Sequence, residues 1–234
     1  MNVAVIVAAY QTRAEWLDEC LGSIEASADQ TSVTLDLRIG VDGCQQSATS
    51  LGDIEQPYWW SSVNVGPYVM RNSLIALGPA DAFVIFDADD VMLPEYFPLV
   101  VHALRTYSLV GPSRTECTEA LTPVEERPYR HGVCAFRPDV LTGLGGYQPE
   151  RLAADVDFIA RATRAGFHLH IVKPPCYLRR RHAASLTTAP RTGRESAERR
   201  KATHRMERQR LAGKVHVTPV TTPLEFRGHE ARSA

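Results

Sequence analysis

A buried strand that ends in a cluster of carboxylates constrains this chain more than any other stretch. Residues 83–86 are four consecutive apolar residues, a run typical of a strand buried on both faces of a sheet. Asp87, Asp89 and Asp90 follow directly. At about 4 Å and an effective dielectric constant near 20, two carboxylates repel each other by roughly 4 kcal/mol. The cluster therefore predicts a bound cation.

Oxygen ligands of this kind suit Mg²⁺ or Mn²⁺, which leave coordination positions open for substrate phosphates. In open α/β sheets, the carboxyl end of a strand is also where ligands bind. The alternative interpretation is that Asp89 or Asp90 only caps a helix that begins at Pro94.

The segments around this strand alternate between strand and helix patterns. Residues 3–8 are apolar and predict a buried parallel strand, and apolar residues at helical spacing follow over 13–27. A second strand pattern over 35–41 ends in Asp42, and a helix is expected from Pro67 to Gly78. The order indicates an α/β fold with a mixed, mostly parallel sheet between helices. Neither early loop carries a dinucleotide or P-loop glycine motif.

Positive charge is concentrated near the C-terminus, although the net charge of the 234 residues is −1. Residues 179–214 hold twelve Lys and Arg against three Asp and Glu, whereas residues 1–178 hold twelve against twenty-two. This basic segment predicts either contact with an anionic surface, such as nucleic acid, lipid headgroups or a charged glycan, or docking on the acidic body of the chain itself. A helical extension is expected within 188–214, and residues 215–234 are expected to form an extended tail.

Cysteine usage and hydropathy indicate the compartment. The five cysteines show no paired spacing, which argues against a disulfide framework and fits a reducing cytosol. No basic leader precedes the first strand, and no apolar run approaches about 18 residues. We therefore expect a soluble, cytoplasmic protein, with peripheral contact at a membrane surface as the alternative.

An ordered series of motifs resembles the family 2 glycosyltransferases of the GT-A fold. The series is Ala9-Tyr10-Gln11, Val41-Asp42-Gly43, Asn64-x-Gly66, Arg71-Asn72, Asp87-Ala88-Asp89-Asp90, Gly132 to Arg137, Gly145-Gly146-Tyr147, Ala154-Asp155-Val156-Asp157 and Arg180-Arg181-His182-x-x-Ser185. The resemblance implies a GT-A domain over residues 1–187, with a nucleotide-sugar-binding half over 1–94 and an acceptor half over 95–187.

The resemblance also implies roles for individual residues. Metal binding, to Mn²⁺ or Mg²⁺, is implied for Asp87, Asp89 and His182. Nucleotide-sugar binding, with a UDP- or GDP-linked donor, is implied for Ala8, Ala9, Tyr10, Asp42, Asn64, Gly66, Arg71, Asp87 and Ala88. Within this set, Asp42 matches the position that hydrogen-bonds the base, and Arg71 matches one close to the pyrophosphate. His131, beside Gly132, is a further candidate for contact with a sugar.

The catalytic base has two candidates, Asp155 and Asp157. They precede an expected helix that Gly166 closes. Because positions two apart on a helix lie about 200° around its axis, both carboxylates can hardly face one cleft. Asp155 matches the base of the family, and Asp157 is the second choice. The alternative for Asp155 is a helix N-cap.

The sequence thus predicts a metal-assisted, inverting transfer of a sugar from a nucleotide donor to a hydroxyl group. A glycan, a lipid carrier, a protein side chain and a modified DNA base all fit as acceptors. The competing interpretation is a non-catalytic scaffold of the same fold that binds nucleic acid through the basic segment.

Overall fold

The computed structural model describes residues 1–129 and 131–228, which form one mixed sheet with helices on both faces. The strands are β1 (Asn2–Ala9), β2 (Thr34–Asp42), β3 (Tyr58–Ser61), β4 (Ala82–Asp87), β5 (Val91–Met92), β6 (Leu109–Cys117), β7 (Pro123–Arg127), β8 (Cys134–Phe136), β9 (Leu169–Arg180) and β10 (Glu225–Arg227). The helices are α1 (Ala14–Ala28), α2 (Gln45–Asp53), α3 (Pro67–Ile75), α4 (Tyr96–Leu104), α5 (Pro138–Leu144), α6 (Ala154–Arg164) and α7 (Ala197–Leu211). The predicted α/β class is confirmed.

The first half of the sheet is parallel, in the order β3-β2-β1-β4. Successive side chains of a strand point to opposite faces, so each buried strand serves two cores. In β1, Val3, Val5 and Val7 belong to the core beneath α1, α2 and α4, whereas Ala4 and Ile6 belong to the core beneath α3, α5 and α6. The four-residue apolar run of β4 is buried in the same way, which explains its composition.

The second half of the sheet brings later segments back to the end of β4. Strand β8 pairs antiparallel with β4, and Ile85 stands opposite Cys134. Because the two strands run in opposite directions, the residues just before β8 lie beside the residues at the carboxyl end of β4. Strand β9 runs parallel to β6 and pairs with β5, so its last residues also reach this end of the sheet.

The cap interpretation of the central carboxylates is wrong. Helix α4 begins at Tyr96 with Glu95 as its N-cap residue, and no side chain caps it. Asp89 and Asp90 therefore do not cap the start of this helix, and their position needs another explanation.

The C-terminal residues are docked on the body of the protein. Helix α7 has Ser196 as its N-cap residue, whose hydroxyl accepts a hydrogen bond from the Arg199 backbone, and it buries Ala202 and Met206 in the core beneath α3. Within the predicted tail, residues 225–227 form β10, which pairs antiparallel with β3 and extends the sheet. Residues 229–234 of the predicted tail lie outside the described residues.

Two further findings bear on the sequence predictions. All five cysteines are free and buried. No helix in the ranges 1–129 and 131–228 combines the length and the apolar character needed to cross a bilayer.

Candidate functional site

Strands β1, β2 and β4 end at one edge of the sheet and open a crevice there. The chain reaches β4 from β3, on the far side of β2, so the strand order reverses between β1 and β4, where open α/β sheets bind ligands. Ala8 is the register partner of Asp87 across this boundary. Ala9 is buried, and Tyr10 is 49% exposed just beyond it. The structure thus brings Ala8, Ala9, Tyr10 and Asp87 together.

Asp42, at the end of β2, is hydrogen-bonded to the neighbouring loop. Its two carboxylate oxygens accept hydrogen bonds from the backbone N–H groups of Val65 and Gly66 at 2.6 and 2.8 Å. Burial raises the pKa of the Asp42 carboxyl, and the two N–H donors partly offset that rise. The residue is only 2% exposed. The carboxylate therefore holds the loop 64–66 and is not open to a base in this conformation.

The same loop is fixed from outside by an arginine. Arg151 donates to the Asn64 side-chain oxygen at 2.5 Å and to the Asn64 carbonyl at 2.6 Å, and its stem lies over Gly66. Gly66 has a φ of +91°, which favours glycine, so this turn precedes Pro67 at the start of α3. Because Arg151 lies shortly before α6, it links the loop 64–66 to the helix that carries Asp155.

Asp87 forms an ion pair with Arg71. The Arg71 Nη2 lies 2.5 Å from Asp87 Oδ1, and the Asp87 side chain is 34% exposed. Burial raises the pKa of the Asp87 carboxyl, Arg71 opposes that effect, and the neighbouring Asp89 adds to it. The buried Arg71 Nε has no hydrogen-bond partner among the described residues. The guanidinium thus retains an unused donor at the crevice.

Asp89 contacts His182, the residue predicted to complete the metal site. The His182 Nε2 and Asp89 Oδ2 atoms are 2.7 Å apart, and the two side chains are 12% and 27% exposed. The His182 ring packs on Trp16, with 4.8 Å between ring centroids. Residues 93 positions apart therefore present one nitrogen and one oxygen donor at a single point.

The remaining members of the central motif are enclosed. Ala88 and Asp90 are both buried. Asp90 Oδ1 accepts a hydrogen bond from the Arg180 backbone at 3.0 Å, whereas Oδ2 has no partner among the described residues. Burial and the neighbouring Asp89 raise the pKa of the Asp90 carboxyl well above its usual range.

Asp155 lies on the other wall of the crevice. It occupies the first turn of α6, whose N-cap residue is Ala153, so Asp155 is not the N-cap. Its Oδ1 accepts a hydrogen bond from the Tyr68 hydroxyl at 2.7 Å. A Cβ built on Gly132 would lie 3.8 Å from Asp87 Oδ2 and 3.9 Å from Asp155 Oδ2. Two carboxylate oxygens from different halves of the chain therefore approach one point, with the exposed His131 beside it.

Asp157, the second candidate base, is not brought to this point. Its carboxylate is fully buried between Arg161 Nε at 2.7 Å and Arg210 Nη1 at 2.5 Å. Arg161 also donates to the carbonyls of Leu144 and Gly146. These contacts join α6, α5 and α7, so Asp157 fixes helices and has no access to the crevice.

Two residues of this arrangement were not predicted from the sequence, Tyr68 and Arg151. Tyr68 precedes Arg71 by three positions, so the two share a face of α3, and the Arg71 Cζ lies 5.2 Å from the Tyr68 ring centroid. That spacing could have indicated from the sequence that Tyr68 lies beside Arg71. Arg151 had no comparable signal, because its contacts with Asn64 span 87 positions.

Several arginines of the basic segment pair with carboxylates of the rest of the chain. Arg205 pairs with Glu150, and Arg210 pairs with Asp157. Arg199, in contrast, donates within the segment, to the carbonyls of Leu186 and Thr192. Of the two sequence alternatives, docking on the acidic body is the one that these contacts represent.

The crevice residues fit a divalent cation that is completed by a ligand. Asp89 and His182 supply two donors at one point, and the buried Oδ2 of the adjacent residue Asp90 has no hydrogen-bond partner among the described residues. Within 1–129 and 131–228, no group of three or more His, Cys, Asp or Glu forms a full cage. A short protein donor set is typical of Mg²⁺ sites that share the ion with phosphates.

Comparison with known proteins places the fold. No protein-family model and no curated protein matches the chain. The solved structure of S. aureus TarS 1-349 in complex with UDP does, with a TM-score of 0.61 and 14% identity over 91% of this chain and 72% of that one. The mannosyltransferase PcManGT from Pyrobaculum calidifontis, in complex with GDP-Man and Mn²⁺, matches with a TM-score of 0.59 and 15% identity over 78% of this chain and 57% of its own.

Another crystal structure of S. aureus TarS 1-349 gives a TM-score of 0.59 at 15% identity, with 77% of this chain and 60% of that chain covered. The chain therefore spans about three fifths of the length of several of these proteins. At this level of identity the likeness concerns the architecture. The chain has the mixed α/β fold of solved glycosyltransferases, with its carboxylates at the carboxyl edge of the sheet.

Proposed function

We propose that this protein is an inverting glycosyltransferase of family 2, which moves a sugar from a nucleotide donor to a hydroxyl acceptor. The observation that carries the proposal is the approach of the Asp87 and Asp155 carboxylates to one point beside Gly132. This point lies at the strand-order reversal of a fold shared with proteins solved in complex with UDP, UDP-GlcNAc and GDP-Man.

In this proposal the nucleotide lies across the ends of β1 and β2. Ala9 and Tyr10 lie against the base, and Asn64 and Gly66 form the opposite wall. Asp42 acts by holding that wall through its two backbone hydrogen bonds and does not contact the base directly. This role replaces the direct contact that the resemblance implied.

The diphosphate then reaches the central motif. Arg71, whose Nη2 keeps Asp87 in place, supplies a guanidinium charge beside this motif that favours the diphosphate. Asp89 and His182 would hold Mn²⁺ or Mg²⁺, which when bound neutralises charge on the departing diphosphate. Ala88 contributes only its small buried side chain between the two aspartates.

Asp155 is the proposed general base. Its Oδ2 accepts the proton of the acceptor hydroxyl as that oxygen attacks the anomeric carbon of the sugar. The bond between that carbon and the diphosphate breaks, and the diphosphate leaves with the electron pair. Attack and departure occur on opposite sides of the carbon, so the configuration inverts.

A nucleotide-protection experiment tests the donor half of the proposal. Thermal unfolding is followed with UDP or GDP, each with and without Mn²⁺. At a ligand concentration of 100 times Kd, binding stabilises the fold by about 2.7 kcal/mol. For a domain of this size, that corresponds to roughly 5–11 °C in Tm. The proposal is supported if UDP or GDP raises Tm only when Mn²⁺ is present. It is contradicted if neither nucleotide raises Tm in the presence of Mn²⁺.

A matched pair of variants assigns the effect to the crevice. Asp89→Asn should abolish the Mn²⁺-dependent protection, because it removes the charged oxygen donor beside His182. Asp53→Asn removes an exposed carboxylate at the far end of α2 and should leave protection unchanged. A screen of sugar nucleotides for hydrolysis with Mn²⁺ then identifies the donor.

A further inference from the structure

The hydroxyl of Tyr68 forms a hydrogen bond with the proposed general base. It donates to Asp155 Oδ1 at 2.7 Å, across 87 positions of sequence. Tyr68 is 7% exposed and lies in the first turn of α3. Burial and the negative charge of Asp155 raise the pKa of the phenol well above its usual value, so the hydroxyl keeps its proton and remains a donor.

The phenol ring is held by its neighbours. The Tyr147 ring packs on it with 5.6 Å between centroids, and the Arg71 guanidinium lies 5.2 Å from its centroid. Arg71 in turn bonds Asp87. One helix therefore fixes both carboxylates that approach Gly132, Asp155 through Tyr68 and Asp87 through Arg71.

This hydrogen bond also gives the two carboxylate oxygens of Asp155 different environments. Oδ1 is occupied by Tyr68, whereas Oδ2 lies 3.9 Å from the position of a Cβ on Gly132, near Asp87 Oδ2. Asp155 is half-buried at the start of a helix, where its side chain has several rotamers. A fixed donor on Oδ1 selects the one that turns Oδ2 toward the crevice.

We propose that Tyr68 is a positioning residue that orients the Asp155 carboxylate for proton abstraction. The inference rests on the proposed function, because it requires Asp155 to be the general base. It adds a residue that the family resemblance did not assign, and it gives α3 a role in aligning the acceptor half with the donor half.

The test uses the full chain and hydrolysis of the sugar nucleotide identified by the screen, with Mn²⁺, so that water is the acceptor. Tyr68→Phe keeps the ring and removes only the hydroxyl. Loss of a hydrogen bond to a charged group predicts a kcat about 10- to 100-fold lower. Donor Kd should change less than about twofold, because the hydroxyl does not face the nucleotide.

Tyr147→Phe is the matched control. Tyr147 lies in the same aromatic cluster, and its hydroxyl contacts the Cys134 thiol at 3.7 Å. Removing that hydroxyl should leave kcat unchanged. Similar Tm values for the two variants show that any difference in rate does not come from loss of folding.

A double-mutant cycle separates positioning from general structural damage. In an Asp155→Asn background, Tyr68→Phe should cause no further loss, since the group it orients has already been removed. If the two losses multiply, Tyr68 acts independently of Asp155 and the inference is overturned. If Tyr68→Phe turns over like the wild type while Asp155→Asn is inactive, only the inference fails. If Asp155→Asn is fully active, or the wild type hydrolyses no sugar nucleotide, the proposed function fails first and the inference fails with it.

Discussion

Asp155 and Asp157 are two positions apart, and the structure predicts opposite consequences for the same substitution at the two sites. Asp157 is fully buried between two arginines, whereas Asp155 is half-buried at the crevice. Asp157→Asn should therefore destabilise the fold and leave nucleotide binding intact. Asp155→Asn should lower turnover by about 10²- to 10⁴-fold and leave stability nearly unchanged.

The magnitude for Asp157→Asn follows from what its charge compensates. Breaking a buried ion pair by removing one partner costs about 3–5 kcal/mol. Arg161, fully buried, would lose its ion pair with Asp157 but keep its hydrogen bonds to the carbonyls of Leu144 and Gly146. We expect the lower part of that range, about 3 kcal/mol, or roughly 6–12 °C in Tm. Asp155→Asn keeps an oxygen that accepts from Tyr68, so its change should be within about 1 kcal/mol.

Thermal unfolding and Mn²⁺-dependent hydrolysis of the donor, measured on both variants, check the comparison. The expected result is a crossover, in which the variant with the lower Tm retains turnover below that Tm and the variant with the normal Tm lacks it. The reasoning would be refuted if Asp157→Asn kept the wild-type Tm and lost turnover, because the buried carboxylate would then be the one that reacts.

Three further predictions concern the crevice, the C-terminal strand and pH. Gly132→Ala, at a φ of +126° and between two carboxylates, should lose about 1–3 kcal/mol of stability and most of the turnover, whereas Gly166→Ala, at a φ of +89° with open space around it, should lose stability only. Removing residues 215–234 should lower Tm, since β10 and the contacts of this segment with α3 are lost. Burial raises the pKa of Glu116, but Arg179 and a second arginine outweigh it and hold that pKa below its usual range. The wild type should therefore have a higher free energy of unfolding than Glu116→Gln above about pH 4.3, the pKa of Glu in the unfolded chain. This difference should disappear as the pH falls below that value, and urea unfolding at several pH values would measure it.

The sequence was sufficient for the elements whose pattern is local. The apolar run of β4 and the spacing in α1 and α3 predicted strands and helices whose bounds differ from the structure by at most three residues. The carboxylates at the end of β4 were also predictable, because a strand end and a charge cluster are both visible along the chain. The ordered motifs then indicated which segments meet at that edge.

The remaining contacts depend on distant pairings that leave no local pattern. Residues 215–228 are held in part by hydrogen bonds between the backbone groups of Val220 and Thr222 and the side chains of Asn72 and Ser73. Every residue has these backbone groups, so the sequence does not indicate which ones will pair. The structural role of Asp157 depends on its ion pair with Arg210, 53 positions away. Asp42 has the residue type of a base-binding group, yet its local loop supplies two N–H donors that occupy it.

The balance of charge at the crevice is the physical reason that the proposed function includes a divalent cation. Asp87 has the Arg71 guanidinium as a partner, and the guanidinium of Arg180 is directed to Glu19 and to backbone carbonyls. Asp90 receives only a backbone N–H from Arg180, and Asp89 contacts an imidazole that is neutral unless protonated. Among the described residues, neither Asp89 nor Asp90 forms an ion pair with a guanidinium, although the charge of Arg179 opposes the rise in the pKa of Asp90 that burial and Asp89 cause. Adding a diphosphate to this site without a cation would add to the repulsion between these carboxylates, whereas a doubly charged ion held by Asp89 and His182 would oppose it. Mn²⁺ should therefore stabilise the wild type by itself at low ionic strength, and it should stabilise Asp89→Asn much less.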